Sequence, residues 1–166
     1  MRTITTVTVA LCAVWTGCAV HSQTDERAEL QRSLQGLMAA FEAHDLDRIM
    51  SRYAPGDSLV VFDVVVPRQY KGVPAYRKDF GDLLAAFPGP IHTELIEPYY
   101  EAGGEMGYSR AIVHYKMTAK DGSVIDLTAR LTDVYRNSGG RWLVVHEHAS
   151  WPAEFPSGRA DMQSKP

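Results

Sequence analysis

The first half of the chain carries apolar residues at the spacing of α-helices. Residues 25–41 repeat apolar side chains at intervals of three and four, and a second short helix is predicted from Leu46 with Asp45 as its N-cap. A third helix is predicted after Pro74, because proline suits the first helical turn. Between the second and third helices, residues 59–66 are rich in β-branched side chains and predict a buried strand.

After residue 90 the pattern changes to four strand-like segments separated by glycine turns. The predicted strands are residues 91–100, 106–118, 124–135 and 142–150. Short links of the Asp-Gly and Gly-Gly type indicate hairpins, so consecutive strands pair antiparallel. Helices followed by such a meander predict an α+β domain, with the N-terminal helices packed on one face of a curved sheet.

Both faces of the predicted strands carry apolar residues. In the last strand Trp142 and Val144 alternate with Leu143 and Val145, although a sheet with one solvated face would alternate apolar with polar residues. One face is covered by the helices. We therefore expect a second copy of the chain to cover the other face, which predicts a homodimer.

Composition narrows the class of protein. The chain has 166 residues, of which 45% are hydrophobic, and this suits one globular domain rather than a disordered protein. Its 17 basic and 20 acidic residues include no dense basic block, so we expect no nucleic-acid partner. Both cysteines lie near the N-terminus, which leaves the predicted domain without a thiol.

Residues 1–22 predict an export signal rather than a part of the domain. A short basic start precedes an apolar stretch of signal-peptide length, too short to span a membrane. Thr16-Gly17-Cys18 resembles a lipoprotein signal, which would lipidate Cys18, while small residues also allow plain cleavage after Ala19 or Ser22. We expect a periplasmic or secreted protein with no membrane contact beyond that anchor. A cytosolic protein with an apolar start is the alternative. At the other end, residues 158–166 are predicted to form a flexible tail.

Several segments together resemble one known family. They are residues 53–57 (YAPGD), 59–63 (LVVFD), 72–76 (GVPAY), 126–135 (DLTARLTDVY) and 140–150 (GRWLVVHEHAS). In this order they resemble the SnoaL-like, ketosteroid-isomerase-like branch of the nuclear transport factor 2-like superfamily. The resemblance covers most of residues 25–157, which we take as the domain.

The resemblance implies a cone-shaped fold in which a curved sheet wraps around helices and encloses a pocket. Its members include isomerases, polyketide cyclases, dehydratases, ligand binders and association domains, so the fold alone does not decide the reaction. We expect a small organic ligand in a mostly apolar pocket and cofactor-free acid/base chemistry. The alternative is a non-catalytic binding or association module.

His146 and His148 are the sharpest chemical feature of the sequence. Two residues apart on a strand, they project from one face at a separation of about 6.5–7 Å. Strict alternation puts Trp142 and Val144 on that face and turns Glu147 to the other. Imidazoles exchange protons near neutral pH, which predicts catalytic roles for both histidines if their face is concave. The alternative is a structural pair at the rim or the dimer interface.

The His-x-His spacing also suits two zinc ligands, with His92, His114 or Asp63 as a third. No ligand-bearing helix motif accompanies the pair, and the resemblance implies that most relatives need no metal. We therefore predict neither a metal nor a cofactor.

Asp63 is the second catalytic candidate. In ketosteroid isomerases the proton-shuttling aspartate follows a Tyr-Ala-x-Asp turn, which Tyr53-Ala54 and Asp57 resemble. The spacing from Asp57 is one residue longer here, and a slip of one residue reverses the strand face. A salt bridge with Arg130 would make Asp63 structural, whereas a pocket histidine beside it would make it a base. Arg130 itself either forms a salt bridge, with Asp63 or with a facing acid, or stabilises an enolate oxygen of the ligand.

Aromatic side chains with a polar group complete the predicted site. Phenols can donate hydrogen bonds to a developing oxyanion, and an indole adds apolar surface with one donor. The predicted ligand-binding residues are Tyr53, Tyr76, Tyr115 and Trp142.

Overall fold

A computed structural model describes residues 23–164 of the chain. The helices are α1 (Gln23–Glu42), α2 (Leu46–Met50) and α3 (Val73–Ala86), and the strands are β1 (Val60–Phe62), β2 (Tyr70–Lys71), β3 (Ile91–Gly103), β4 (Met106–Thr118), β5 (Val124–Ser138) and β6 (Arg141–Ser150). All three predicted helices and the four meander strands are present. The predicted export signal, with Cys18, lies outside the described residues.

Local sequence signals explain where the helices begin and which face they bury. The side chain of Asp45 accepts a hydrogen bond from the Arg48 amide at 3.0 Å and caps α2, as predicted. On α1 the buried residues recur at helical spacing, as Leu30, Leu34 and Leu37 show. This apolar stripe packs against the sheet and forms the core of the domain.

The sheet has six strands in the order β2-β1-β6-β5-β4-β3. Strands β3 to β6 form the predicted antiparallel meander, whereas β1 pairs parallel with β6 and antiparallel with β2. The strand predicted over residues 59–66 is therefore much shorter than expected, and β2 was not predicted. β1 ends at Phe62, and residues 63–69 form a loop. Pro67 lies in this loop, and proline cannot donate a hydrogen bond to a neighbouring strand.

A β-bulge decides which side chains of β6 face the helices. Val134 of β5 pairs with His146 and Tyr135 pairs with Val144, so Val145 is an extra residue. Strict alternation fails at this point. Trp142, Val144 and Glu147 are consequently all buried on the inner face. The predicted face shared by Trp142 and the histidines is wrong for this reason.

The outer face of the sheet carries the strand residues that point away from the helices. Charged and half-buried apolar side chains mix there, among them Ile112, Arg130 and Val134. Among residues 23–164, no helix combines the length and apolar character that crossing a membrane requires.

The C-terminal segment runs along β5. The amide of Thr128 donates a hydrogen bond to the carbonyl of Met162 at 3.0 Å, and the Gln163 side chain donates to the carbonyl of Asp126 at 2.7 Å. The flexibility predicted for residues 158–166 stays a prediction.

Candidate functional site

A cavity of about 420 Å³ lies between the helices and the inner face of the sheet. Its walls come from α1, α3, the inner faces of β4, β5 and β6, and the loop after β1. Most of the lining is apolar, including Leu37, Phe41, Phe80, Met117 and Leu131. This combination of size and apolar lining is typical of sites for small organic molecules.

Glu147 is the central polar group of this cavity. Its side chain is 4% exposed, and its carboxyl oxygens accept hydrogen bonds from two phenols. The hydroxyl of Tyr53 donates to Oε2 at 2.7 Å, and the hydroxyl of Tyr76 donates to Oε1. Burial raises the pKa of both phenols, so they remain protonated donors.

The pKa of the Glu147 carboxyl is raised from 4.5 to about 7. Desolvation is the main cause, and the negative charge of Asp63 acts in the same direction. The two phenol hydrogen bonds oppose this shift because they stabilise the ionised form. Near neutral pH the group therefore populates both its acid and its base form, which general acid–base catalysis requires.

A second buried carboxyl lies beside Glu147. Asp133 is its direct cross-strand partner and is fully buried. The hydroxyl of Tyr135 donates to Oδ2 of Asp133 at 3.0 Å, and Ser109 lies 3.1 Å from the same hydroxyl. Desolvation and the charge of Glu147 raise the pKa of Asp133 well above its ordinary value. Asp133 therefore holds its proton more tightly than an exposed aspartate would.

Asp63 lies in the cavity wall just after β1. Its Oδ1 accepts a hydrogen bond from the Val64 amide, and desolvation raises its pKa, with the charge of Asp79 adding to the effect. Asp79 itself accepts from the Tyr70 hydroxyl at 2.6 Å, and Asp82 lines the same wall. Within the described range of the chain, no lysine, arginine or histidine lines the cavity.

The structure brings together four of the predicted site residues. Asp63, Tyr53, Tyr76 and Tyr115 all line the cavity. The open question about the strand face of Asp63 is thus answered by the loop, which turns this residue to the cavity after β1 has ended.

The two histidines lie elsewhere. The ring of His146 donates a hydrogen bond through Nδ1 to the carbonyl of Val60 at 2.8 Å. Both imidazoles contact the exposed ring of Phe62, with centroid distances of 4.9 Å for His146 and 5.8 Å for His148. Neither histidine lines the cavity. The extra residue Val145 is the physical reason, and we assign the pair no role in proton transfer.

Arg130 and Trp142 also lie away from the cavity. Arg130 is exposed on the outer face, so the predicted salt bridge with Asp63 does not form. Trp142 is buried below α1 and lines a separate cleft. In the part of the chain that the structure describes, no three His, Cys, Asp or Glu side chains are grouped as metal ligands.

Glu147 and Asp133 are the site residues that sequence reasoning missed. Each is a carboxylate inside a strand that is otherwise rich in apolar residues, and such a group is costly to bury unless it has a partner or a function. This signal drew attention to Asp63 and applies equally to Glu147 and Asp133. The assumed strand alternation had turned Glu147 away from the pocket.

Comparison with known proteins places this geometry in a family. The family described as SnoaL-like domain matches residues 30–154. A crystal structure of an NTF2-like protein of unknown function from Pseudomonas putida KT2440 is similar, with 28% identity and a TM-score of 0.77. The match covers 86% of this chain and 98% of that chain. The comparison with curated proteins found no match.

Two further solved structures share the fold at lower identity. A ketosteroid isomerase-like protein from Erwinia carotovora atroseptica is 17% identical with a TM-score of 0.65, over 76% of this chain and 95% of that one. The association domain of CaMKII from C. elegans is 18% identical with a TM-score of 0.58, over 77% and 97%. The predicted NTF2-like fold is confirmed by these likenesses.

Proposed function

The chain belongs to the SnoaL-like domain family, and from this premise we propose that Glu147 transfers a proton on a small organic molecule bound in the cavity. The observation that carries the proposal is the Glu147 carboxyl, which lies in the cavity wall with its pKa raised to about 7. A carboxylate freed from water is a stronger base than one in solution. The proposed chemistry needs no cofactor.

The two phenols hold the Glu147 carboxylate in place and leave lone pairs of its oxygens free to accept a proton. A carboxylate offers about four lone-pair directions, and Tyr53 and Tyr76 occupy one each. Another lone pair can accept a proton from a ligand carbon that is made acidic by a neighbouring carbonyl. Return of that proton to a different carbon is an isomerisation. Its transfer to a neighbouring hydroxyl group, which then leaves as water while the C–O bond breaks and a C=C bond forms, is a dehydration. Tyr115 is the lining phenol we assign to the ligand oxygen.

The charge of the lining restricts the ligand. Asp63 and Asp79 join Glu147 around the cavity, a third aspartate, Asp82, is ion-paired with Lys78 at 2.5 Å, and no cationic side chain among the described residues lines the cavity. An anionic ligand would be repelled there. We therefore propose a neutral or cationic ligand with a mostly apolar body.

A nitrobenzisoxazole tests the proton transfer without knowledge of the natural substrate. Glu147 would take the proton from the ring carbon, the released electron pair would form a nitrile, and the N–O bond would break to give a coloured phenolate. We expect turnover that rises with pH as Glu147 ionises, with an apparent pKa near 7. Glu147→Gln should reduce the rate by about 10²-fold or more. His148→Gln, a change on the outer face, should leave it unchanged.

One observation favours a non-catalytic binding module as the second candidate. Both oxygens of Glu147 already accept a phenol hydrogen bond, which is also what a purely structural buried carboxyl needs. If the nitrobenzisoxazole binds and protects the protein against heat but is not turned over, this candidate is preferred. Equal rates for the wild type and Glu147→Gln would likewise contradict the catalytic proposal.

We further propose that the outer sheet face pairs with a second copy of the chain. Half-buried apolar side chains there, including Ile112, Val134 and Leu143, support this arrangement. Light scattering at micromolar concentration should give twice the mass of one chain, and the mass of a single chain would overturn the proposal.

We also propose export directed by residues 1–22, in periplasmic or secreted form. Mass spectrometry of the protein recovered from bacterial fractions should find a chain that begins at Cys18 with lipid, or shortly after it without lipid. A cytoplasmic protein that retains residue 1 would contradict this.

A further inference from the structure

A second cleft, of about 440 Å³, lies apart from the cavity already described. It is formed by α1, the segment after α2, and the hairpin that joins β5 to β6. Of the residues that the structure describes, three arginines line it, Arg32, Arg52 and Arg141, and Glu29 is the single acidic one. Within residues 23–164, the walls of the first cavity carry carboxylates and no cation, so the two sites have opposite charge.

Arg52 is held in this cleft by its neighbours. The carbonyl of Arg52 accepts a hydrogen bond from the Val144 amide at 2.9 Å, which fixes its backbone to β6. Its guanidinium lies against Gly36 of α1, where a Cβ atom would be only 2.5 Å from Nη2. Glycine at position 36 therefore leaves the room that the guanidinium occupies.

Two N–H donors in this region are buried without an acceptor. They are Nε of Arg52 and Nε1 of Trp142, and neither has a hydrogen-bond partner within residues 23–164. Trp142 is only 5% exposed and lines the cleft. Buried donors are normally paired, so these two nitrogens beside three arginines can each still donate to an acceptor.

Among the described residues, few polar groups accept hydrogen bonds from the arginines of the cleft. Arg141 donates one hydrogen bond, from Nη2 to the carbonyl of Ser51 at 3.3 Å. Arg32 is 4.0 Å from Glu29, at the outer limit of an ion pair. Each guanidinium carries five N–H donors in a fork that matches the oxygens of a phosphate.

We propose that this cleft binds a phosphate group. The three guanidinium groups supply the charge and the forked donors, and the Arg52 and Trp142 nitrogens supply the donors that a tetrahedral oxyanion can satisfy with a small shift of side chains. The proposal is independent of the proton-transfer chemistry. It gives Trp142 a ligand-binding role at a site different from the predicted pocket.

Titration with inorganic phosphate tests the proposal, with chloride at matched ionic strength as the reference. In a proton–nitrogen NMR spectrum, the indole N–H signal of Trp142 should shift and saturate, while the signal of Trp151 in the other cavity stays in place. Chloride alone should move neither signal. A Trp142 signal that does not respond to phosphate, or responds equally to chloride, would overturn the proposal.

Two variants and one control locate the binding. Arg52→Gln should weaken phosphate binding about tenfold, because one charged fork is lost. Gly36→Ala keeps every charge but displaces the Arg52 guanidinium, so it should weaken binding by a smaller factor. Lys120→Gln removes a positive charge in the turn at the other end of β5 and should leave the affinity within about twofold. Unchanged affinity in Arg52→Gln would exclude the site.

The phosphate can belong to a soluble molecule or to a lipid headgroup. Vesicles of phosphatidylglycerol in phosphatidylcholine separate these sources. Binding to the vesicles that Arg52→Gln abolishes would identify a headgroup, whereas saturation by free phosphate without vesicle binding would identify a soluble ligand. Vesicle binding that persists in Arg52→Gln, with no response to free phosphate, would contradict the site.

Discussion

Glu147 and His148 are adjacent in the sequence and occupy opposite environments. Glu147 is 4% exposed on the inner face, between two phenols and a second carboxyl, whereas His148 is exposed on the outer face beside Phe62. Histidine is the residue whose ordinary pKa suits proton transfer at neutral pH. Here desolvation moves a carboxyl into that range, with a pKa of about 7. Burial, rather than residue type, brings the pKa of this side chain close to neutral pH.

The largest effect of this difference is expected in stability against pH. The pKa of Glu147 is raised above its ordinary value, so the folded state holds the proton more tightly than the unfolded state. This contribution to stability is present below about pH 4.5 and is lost as the pH rises through about 7. Relative to the wild type, Glu147→Gln should therefore gain about 3 kcal/mol of unfolding free energy between about pH 4.5 and about pH 9.

Urea denaturation across that pH range measures the gain. His148→Gln is the matched control on the neighbouring residue, and we expect its unfolding free energy to differ from that of the wild type by less than about 0.5 kcal/mol throughout. A constant difference in unfolding free energy between Glu147→Gln and the wild type at every pH would show that Glu147 titrates normally. The inner face of the sheet would then not differ from the outer face in its effect on the pKa.

The bulge at Val145 explains why sequence reasoning reached the fold but chose the wrong side of β6. Helical periodicity and the glycine turns predicted the three helices and the four meander strands, because these signals are local and repeat many times. One extra residue reverses the strand parity and leaves no clear trace in an apolar run such as Val144-Val145. The histidines were therefore predicted on the same face as Trp142.

Other parts of the site followed from residue type. Asp63 was predicted from the cost of burying a carboxylate and from the family resemblance, and the tyrosines from the ability of a phenol to donate to an oxyanion. Asp63, Tyr53, Tyr76 and Tyr115 all line the cavity. The pairing of Asp133 with Glu147 depends on the register between β5 and β6, which no local signal encodes. The cleft around Arg52 depends on three separate segments, so it too required the tertiary structure.

Removing one phenol should have the next largest effect. Tyr76→Phe deletes a donor to Glu147, which destabilises the ionised carboxylate and raises its pKa further. At about pH 9 we expect a loss of about 1.5–3 kcal/mol in unfolding free energy, and a smaller loss at about pH 4.5, where Glu147 is protonated. Tyr108→Phe, on the outer face, is the control and should change stability by less than about 0.5 kcal/mol.

A pH titration of the nitrobenzisoxazole reaction provides a second readout for Tyr76→Phe. The apparent pKa of the rate should move upward from about 7. If the protein loses stability equally at both ends of the pH range and the apparent pKa stays in place, the phenol acts through packing alone and does not control Glu147.

Replacing Asp63 should have the smallest effect and should sharpen the description of the inner face. The negative charge of Asp63 contributes to the raised pKa of Glu147, and both side chains line the cavity. Asp63→Asn removes that charge with little change in volume, so the apparent pKa of the rate should fall by about half a unit. Glu105→Gln removes a charge in the turn between β3 and β4 and should leave the pH profile of the rate unchanged.

The rate at low pH distinguishes the roles of Asp63 and Glu147. In Asp63→Asn the base form of Glu147 is populated at lower pH, so its rate should exceed the wild-type rate below about pH 7, provided that Asp63 does not itself transfer the proton. A strong loss of rate in Asp63→Asn at every pH would instead identify Asp63 as the base and Glu147 as a structural carboxyl.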